Sequence, residues 1–573
     1  MKTTTNSQAA SCEAERSPVP NASNFIAFPA SPATPLQGSL FQLAPDSEVA
    51  TLIEFGIELA GFQPALLEDI STDLNNHALA KKQQRIDHQR FLAEQTESLM
   101  DVPAEQPSKP KLETGRPRMS SLSVLIFLLL RGLLGGCKEQ RFRTLVRESI
   151  SLQIFLENIG EHLPSGSTLN ENLNAITNET LLKIHRAELA LALGEKLDDF
   201  DLARIDSTAA RSASAFPTDS GTLAKLLNRM CGRLQRLPRL DLEAVSSSEH
   251  QELEEVRASI SKLNYQIGTL TSSSAKEAER AAQAEHTAEN SQSADTESKR
   301  KEKENSKQRL RRELYEQLYA EIEKALPAIE RSFLQARSQI EQEQCAPRVQ
   351  RRRARFLEDF QEDLESVRRG ITQSRGRVCE GKKPTAKNKM PLSVSDSSAS
   401  FIEKGSWEFI FGYRPQIVFS GNNLVTAIIV PEGNASDCSQ LIPAIELSIA
   451  NTGKVPGTVS VDDGYTGAHQ LKESLALGVT TVSFSGARGK ALLGEDVWSS
   501  EPYCAARKAR NGAESGIYVL KKKVNFGQLA SCGQEKVRAE QYEKVLTYNA
   551  LKIAALRRKK RREDSVAAHR DAA

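Results

Sequence analysis

The chain has 573 residues, of which 39% are hydrophobic and 26% are charged. This length exceeds what one compact core accommodates and predicts about three domains. Its formal net charge of +2, from 76 basic and 74 acidic residues, indicates no class of partner, so local clusters of charge must carry that information. Eight cysteines without a CxxC pair predict neither a zinc site nor a disulfide framework and fit a reducing compartment.

The most apolar run of the chain covers residues 124–130. Arg131 and several glycines interrupt it, and it is much shorter than the roughly 20 residues that a membrane span needs. The N-terminus has no apolar core of the kind that a signal peptide requires. We therefore expect a buried helix at 124–130, no membrane partner, and a cytoplasmic, nucleoid-associated protein.

The first third of the chain changes in composition several times. Residues rich in Ser, Pro, Ala and Asn give way to a helical pattern, a Pro-rich stretch and a second helical region, in which Ser120 and Ser167 are predicted N-caps. The predicted segments are a disordered tail at 1–47, a helical segment at 48–100, a linker at 101–117 and a compact all-α domain at 118–195.

A basic helix in the 118–195 domain would favour a polyanionic partner, and a helix is the usual element placed in a DNA major groove. This domain is therefore the candidate for binding the ends of a DNA element if the rest of the chain points to one. The best match is "GCKEQRFRTLVRES", in which Lys138, Arg141 and Arg143 are the predicted DNA contacts. An ordinary amphipathic helix explains this segment equally well.

A β-like run, "DLARIDSTAA", opens the next segment at 196–240 and ends near Asp206. A helix follows in "FPTDSGTLAKLLNRM", with Thr218 or Asp219 as its cap. Capping is the preferred interpretation of Asp219, and a catalytic role is the alternative.

Residues 241–390 are predicted to form a charged helical or coiled-coil insertion. Apolar residues recur there every three or four positions, as in a coiled coil. An antiparallel hairpin and pairing between two chains both fit this pattern, and the polar stretch between the stripes is either a solvated tip or disordered. The stripes are Leu253, Val256, Ile260, Leu263, Ile267 and Leu270, followed by Leu310, Leu314, Leu318 and Ile322.

The insertion also contains the basic run "QRRRARF", with Arg351, Arg352 and Arg353. Such runs favour a polyanionic partner, because each arginine near a phosphate releases counterions, although a solvated helix face is equally compatible. We expect the insertion to pair two subunits or to grip DNA through these arginines, and a simple spacer is the competing interpretation.

From 391 to 556 the sequence predicts alternating strands and helices, as in an α/β domain, and a basic tail follows at 557–573. Two strands joined by "SGNN" precede a helix, a strand that stops at Asp462, another helix, a strand, and a helix that carries Glu514 in its first turns. Asp206 and Asp462 thus each lie at the end of a predicted strand, and Glu514 lies on a predicted helix. Residues in such places, although far apart in sequence, can meet at the open end of a sheet. Clustered carboxylates are the ligands that hard divalent cations prefer.

With the insertion removed, this element order is that of the RNase H-like fold, and the chain resembles the DDE transposases of bacterial insertion sequences. "RIDSTAA" with "FPTDSGTL" is similar to their first-Asp block, and "FIEKG…FIFGYRPQIV" to their second-strand region. "VDDGY" resembles their D-x-G-Y block, and "RNGAESGIYVLKK" has their R(3)E(6)K spacing. The fold expected is therefore an α/β, RNase H-like mixed sheet interrupted by the helical insertion and preceded by the all-α domain.

The resemblance implies roles for individual residues. Asp206, Asp462 and Glu514 become the catalytic and metal-holding acids, with Asp206 bridging two ions and Asp463 at a variable position. Arg510 and Lys521, four residues before and seven after Glu514, share its helix face and are expected to bind DNA. The family's Tyr three residues before that Arg is replaced here by Arg507, so its role does not carry over.

The function implied is metal-dependent cleavage at transposon ends, followed by attack of the freed 3′-hydroxyl on target DNA. Two Mg²⁺ ions, with Mn²⁺ as a substitute, would activate the nucleophile and stabilise the leaving oxygen. The expected partners are double-stranded DNA of the terminal inverted repeats and of the target, and further subunits in a homodimer or higher assembly. The alternatives are a nuclease of this fold without strand transfer and a repurposed, non-catalytic DNA-binding protein.

Overall fold

The computed structural model describes residues 48–97, 119–134, 144, 147–214, 218–243, 246–287, 294–343, 345–382, 393–404 and 408–571. The tail predicted at 1–47 and the linker predicted at 101–117 lie outside these residues. So do Lys138, Arg141 and Arg143, the predicted recognition contacts.

Helices dominate the N-terminal third of the described chain. Ser120 is the N-cap of the helix Ser121–Leu133, as predicted. The helix Gly166–Ala175 is capped by Ser165 rather than Ser167, because the hydroxyl of Ser165 accepts the backbone N–H of Thr168. The helices are α1 (Glu48–Phe62), α2 (Ala65–Glu97), α3 (Ser121–Leu133), α4 (Ile150–Asn158), α5 (Gly166–Ala175) and α6 (Asn178–Gly194).

Helix α3 lies at the centre of this region. Residues 124–130 are all buried, which confirms the predicted buried helix. Among the described residues, no single helix has the length and apolar character to cross a membrane, although the bent pair formed by Glu48–Phe62 and Ala65–Ile86 passes that test jointly. The buried apolar side chains that the structure describes within 118–195 belong to one core with α1, α2, the C-terminal helix and one face of the sheet. This region therefore has no separate core, while its predicted boundaries stay a prediction.

The main sheet has five strands in the order β6-β5-β1-β7-β8. Strand β1 pairs antiparallel with β5 and parallel with β7, so the sheet is mixed. This arrangement is compatible with the expected α/β domain. The strands are β1 (Leu202–Ser207), β5 (Gln416–Phe419), β6 (Val425–Ile429), β7 (Thr458–Asp462) and β8 (Thr481–Ser485).

Helices cover both faces of this sheet. One face buries Ala203, Ile205 and Val459 with α11 (Asp437–Thr452), which ends at Gly453 in a left-handed conformation. The other face carries α15 (Glu501–Val524) and belongs to the core of the N-terminal helices. Helix α12 (Ala468–Ala476) connects β7 to β8, and the short helices α13 (Ala487–Leu493) and α14 (Glu495–Ser499) lead from β8 to α15.

A second, three-stranded sheet has the order β2-β4-β3. Its strands are β2 (Ala210–Arg211), β3 (Ser400–Lys404) and β4 (Glu408–Tyr413). Strand β2 follows β1 after two residues, whereas β3 and β4 follow the insertion. This sheet therefore joins the two ends of the interrupted domain.

The insertion is a bundle of helices with its own apolar core. Leu253, Ile260 and Ile322 are buried together within one chain, which supports intramolecular packing of the two predicted stripes. Thr218 caps α7, and Asp219 instead pairs with Arg377 at 2.5 Å. The bundle consists of α7 (Asp219–Leu234), the 3-10 helix Leu237–Leu240, α8 (Ser247–Thr287), α9 (Ala294–Gln342) and α10 (Pro347–Val378).

The final helix, α16, spans Gln534–Asp571 and includes most of the predicted basic tail. Arg557 at the start of that tail is paired with Glu58 and Glu195, so it anchors α16 to the N-terminal helices. Thr547 donates to the carbonyl of Leu129 at 2.6 Å and closes the contact with α3.

Candidate active site

Neighbouring parallel strands place two of the predicted acids side by side. Arg204 in β1 pairs with Ser460 in β7, and continuing that register by two residues sets Asp206 opposite Asp462. Side chains alternate along a strand, so Arg204 and Asp206 share a face, as do Ser460 and Asp462. That face is the one covered by α15, because Ser460 donates its hydroxyl to the carbonyl of Ala506 at 2.7 Å.

Two glycines let α15 approach the sheet closely. A Cβ on Gly512 would lie 1.5 Å from Nη1 of Arg204, and a Cβ on Gly516 would lie 2.7 Å from the ring of Phe419. Phe419 is fully buried, and Arg204 is 5% exposed and held by hydrogen bonds to the β5–β6 turn, so we expect neither side chain to yield easily. Small residues at these two positions therefore set the height of α15, and with it the position of Glu514, above the strands.

Arg204 holds the strand end beneath α15. Its guanidinium donates to the carbonyls of Ser420 and Gly421 and, at 2.7 Å, to the side-chain oxygen of Asn423. Burial lowers its pKa, and nearby Asp198 opposes that change. Arg204 thus ties β1 to the β5–β6 turn without taking part in the acidic cluster.

Arg510 lies among all three predicted acids. Its guanidinium is 2.7 Å from Oε1 of Glu514, 3.8 Å from Oδ2 of Asp206 and 4.0 Å from Oδ2 of Asp462. Only 19% of the Arg510 side chain is exposed, and its buried Nε atom has no hydrogen-bond partner among the residues that the structure describes. The structure therefore brings the three acids together, with one internal cation between them.

Burial raises the pKa of Asp206 to about 6. The backbone N–H of Ser207 and the charge of Arg510 act in the opposite direction, while the neighbouring charges of Asp462 and Glu514 add to the rise. A carboxyl group with this environment gains from any added cation, because desolvation and like charge both penalise its ionised form.

Chemically, these acids fit a divalent cation, since carboxylate oxygens are hard ligands and here they already share a positive charge. Their side chains surround the guanidinium rather than a common point. Within the described ranges, no group of three or more His, Cys, Asp or Glu side chains is gathered closely enough to hold an ion. In the described residues the guanidinium of Arg510 therefore lies where the three carboxylates face one another.

The two adjacent acids at the end of β7 have different surroundings. Asp462 accepts the backbone N–H of Gly464 at 2.7 Å and faces Arg510. Asp463 points to α13, where it accepts the N–H of Gly489 at 3.0 Å and pairs with Arg488. These contacts fit the choice of Asp462 over Asp463, although the roles of both stay predictions.

A buried polar network supports the strand ends from below, and the sequence did not predict it. Tyr465 donates to Gln416, whose amide donates to Asp437 at 2.9 Å. Arg414 pairs with the same Asp437 and donates to the hydroxyl of Ser207 at 3.1 Å. The network thus links the "DGY" turn to the residue after Asp206. The sequence signal for this network is the pair of polar residues in "GYRPQIV", Arg414 and Gln416, at the start of an otherwise apolar strand.

The position of Glu514 on its helix was predicted wrongly. Helix α15 begins at Glu501, with Pro502 in its first turn, so Glu514 lies in the middle of the helix rather than in its first turns. Lys521 lies about 10 Å further along the axis, and its stem lies against Gly527. Arg507, at the position of the family's Tyr, stacks on Trp498 with 3.9 Å between its guanidinium carbon and the ring centroid.

The predicted DNA contacts of the insertion need one correction. Arg351 and Arg352 are exposed on α10, but Arg353 is 2% exposed and donates to the backbone carbonyls of Leu240 and Asp241. A side chain that is enclosed in the bundle cannot reach DNA. The prediction failed because the basic run was treated as one surface, although position 353 falls on the buried stripe of its helix.

Residues 384–566 match the family model described as a transposase DDE domain. The matched segment contains Asp462, Arg510 and Glu514, whereas Asp206 precedes it beyond the helical insertion. No curated protein and no solved structure matched the chain. The similarity thus covers the second part of the sheet domain and the helices that follow it.

Proposed function

With a transposase DDE domain of the insertion-sequence class as the premise, we propose that this chain cuts DNA at the ends of a mobile element and joins the freed 3′-hydroxyl to target DNA. Transposases of this class act on DNA and use divalent metal ions. We further assign the five-stranded sheet to the RNase H-like fold, because its strand order and directions fit that assignment.

The observation that carries the proposal is the convergence of Asp206, Asp462 and Glu514 on Arg510. These acids come from two strand ends and a helix, separated in sequence by a bundle of more than one hundred residues. A surface helix would provide an Arg510–Glu514 pair by itself, but it would not bring Asp206 and Asp462 to the same guanidinium.

We assign two Mg²⁺ ions to this site, held by Asp206, Asp462 and Glu514. Bound there, they would polarise the phosphate, activate the attacking oxygen and stabilise the leaving oxygen. The protein's own contribution is the fixed position of the carboxylates, which Arg204, Gly512 and the Tyr465–Asp437 network maintain.

Arg510 has two tasks in this proposal. In the metal-free protein it compensates the negative charge of the three carboxylates, which explains why a partly buried acidic cluster is tolerated. Its planar guanidinium also suits bidentate contact with a DNA phosphate beside the acids. Lys521, two turns along α15, is proposed to contact the same DNA further from the reacting bond.

The test is cleavage and strand transfer on linear duplexes that carry the DNA flanking the coding sequence. Asp206→Asn, Asp462→Asn and Glu514→Gln should each lower cleavage by about a thousandfold, since loss of an ion ligand removes several kcal/mol of transition-state stabilisation. The amide variants should still bind the ends.

Asp463→Asn is the matched control, because it changes the adjacent carboxylate in the same turn, and we expect cleavage within about tenfold of the wild type. Normal cleavage by any of the three amide variants would remove that residue from the site. Cleavage without joining of the 3′-end would identify a nuclease, and binding without cleavage in magnesium would identify a non-catalytic DNA-binding protein.

A further inference from the structure

Four arginines form a stripe on the first turns of α10. Arg348, Arg351, Arg352 and Arg355 are spaced by three, one and three residues, so they lie on one face of the helix. All four are exposed, and Arg355 has 83% of its side chain in solvent. The opposite face of the same turns carries Arg353 and Phe356, which are buried in the bundle.

A second basic segment lies against these turns. The 3-10 helix Leu237–Leu240 buries Leu237 and Leu240 in the bundle core and leaves Arg236 and Arg239 exposed. This segment is more than one hundred residues from α10 in the sequence. A search of the sequence for basic runs would therefore not place the two groups of arginines on one surface.

Arg353 joins the two segments. Its Nε donates to the carbonyl of Leu240 at 2.8 Å, and its Nη2 donates to the carbonyl of Asp241 at 2.6 Å. Asp241 has a left-handed conformation, with φ of 55°, and ends the 3-10 helix so that these two carbonyls face α10. The side chain predicted to bind DNA therefore fixes the geometry of the arginines that surround it.

Four of these arginines lack an ion-pair partner among the described residues. Arg355 approaches Asp359 at 3.9 Å, but Asp359 is bound more closely by Arg233 at 2.9 Å. For Arg236, Arg239, Arg348 and Arg352, no ion-pair partner is found in the part of the chain that the structure describes. The result is a cluster of exposed arginines at one end of the bundle, beside the exposed acids Asp241 and Glu343.

We propose that Arg236, Arg239, Arg348, Arg351, Arg352 and Arg355, together called the bundle-end surface, bind the phosphate backbone of duplex DNA outside the carboxylate site. The proposal deepens and rests on the proposed function, which supplies DNA as the partner. Guanidinium groups on a rigid helix suit phosphate contacts without base readout, so binding here is insensitive to sequence.

The experiment compares two full-length variants that lose the same charge. In the first, Arg236, Arg239, Arg348 and Arg352 are each changed to Gln. In the control, Arg309, Arg312, Arg368 and Arg369, which are exposed elsewhere on α9 and α10, are each changed to Gln. Fluorescence anisotropy with a short duplex of unrelated sequence, measured over a sodium chloride series, gives the dependence of affinity on salt for both.

The bundle-end variant should bind more weakly, and the slope of log affinity against log salt should fall by about 0.9 for each lost phosphate contact, or up to roughly 3.6. Replacing the same four residues by Lys should restore most of the slope. The control should keep the wild-type slope, and circular dichroism should show that both proteins are folded.

Equal slopes of log affinity against log salt for the bundle-end variant and the control would contradict the proposal that the bundle-end surface binds DNA. Asp206→Asn separates the two proposals, since it should keep the full salt slope while losing cleavage. If the wild type cuts transposon ends and the bundle-end variant binds like the control, the surface fails and the function stands. If the wild type neither binds nor cuts duplex DNA, the proposed function fails and the surface fails with it.

Discussion

Arg510 at the sheet edge and Arg353 in the bundle are both largely buried guanidinium groups, but they have different partners. Three carboxylates surround Arg510. Arg353 is bound mainly by two backbone carbonyls and also approaches Glu343 at 3.2 Å. Each guanidinium has one buried nitrogen, Nε of Arg510 and Nη1 of Arg353, without a hydrogen-bond partner among the described residues. Both were expected to contact DNA.

The difference concerns what can replace each arginine. Carboxylates accept another cation in place of Arg510, so that side chain can leave without stranding a buried charge. No ion substitutes for Arg353 between the carbonyls of Leu240 and Asp241, because their geometry is fixed by the 3-10 helix. We interpret Arg510 as an exchangeable cation of the active site and Arg353 as a permanent structural anchor.

The largest effect is expected on stability, from Arg353→Ala. This change leaves the buried carbonyl of Leu240 and the partly buried carbonyl of Asp241 without the Arg353 donor, and it should lower the free energy of unfolding by about 3 kcal/mol. Arg352→Ala is the matched control, since the neighbouring exposed arginine should change stability by less than about 0.5 kcal/mol. Urea unfolding of both variants checks this, and equal losses would contradict an anchoring role for Arg353.

A somewhat smaller effect is expected on catalysis from Gly512→Ala. The added methyl group collides with Nη1 of Arg204, which is held by hydrogen bonds to the β5–β6 turn, so we expect α15 to shift and carry Arg510 and Glu514 away from the strands. A displacement near 1 Å can cost about a hundredfold in rate. The control is Gly232→Ala, a helical glycine with open space around it. Wild-type cleavage by Gly512→Ala would show that the height of α15 does not position the site.

The smallest effect is expected from Arg510→Gln. In EDTA the variant should be destabilised by about 1 kcal/mol, because three carboxylates lose their counter-charge near solvent. Magnesium chloride should then raise the melting temperature of the variant more than that of the wild type, since the added ion binds only the folded site. Sodium chloride at matched ionic strength is the control. An equal response of both proteins to magnesium would show that Arg510 does not occupy a cation site.

The strand ends were predictable because their signals are local. Asp206 and Asp462 each end a short apolar run, and parallel neighbours bring such ends together. Glu514 was placed wrongly on its helix because Pro502 marks an N-terminus that the sequence pattern did not reveal. The contacts of Arg414 and Asp437 depend on packing between separate elements, so no local pattern shows them. Arg353 was predictable in principle, since its spacing from Phe356 and Phe360 matches the buried stripe of α10.

The most direct measurement is the affinity for Mn²⁺ in the absence of DNA, with electron paramagnetic resonance as the method of detection. The wild type should bind Mn²⁺, Arg510→Gln should bind it about tenfold more tightly because a competing charge is gone, and Asp206→Asn should lose most of the binding. Asp463→Asn should bind like the wild type. Unchanged Mn²⁺ affinity in Asp206→Asn would contradict the claim that these carboxylates form the metal site.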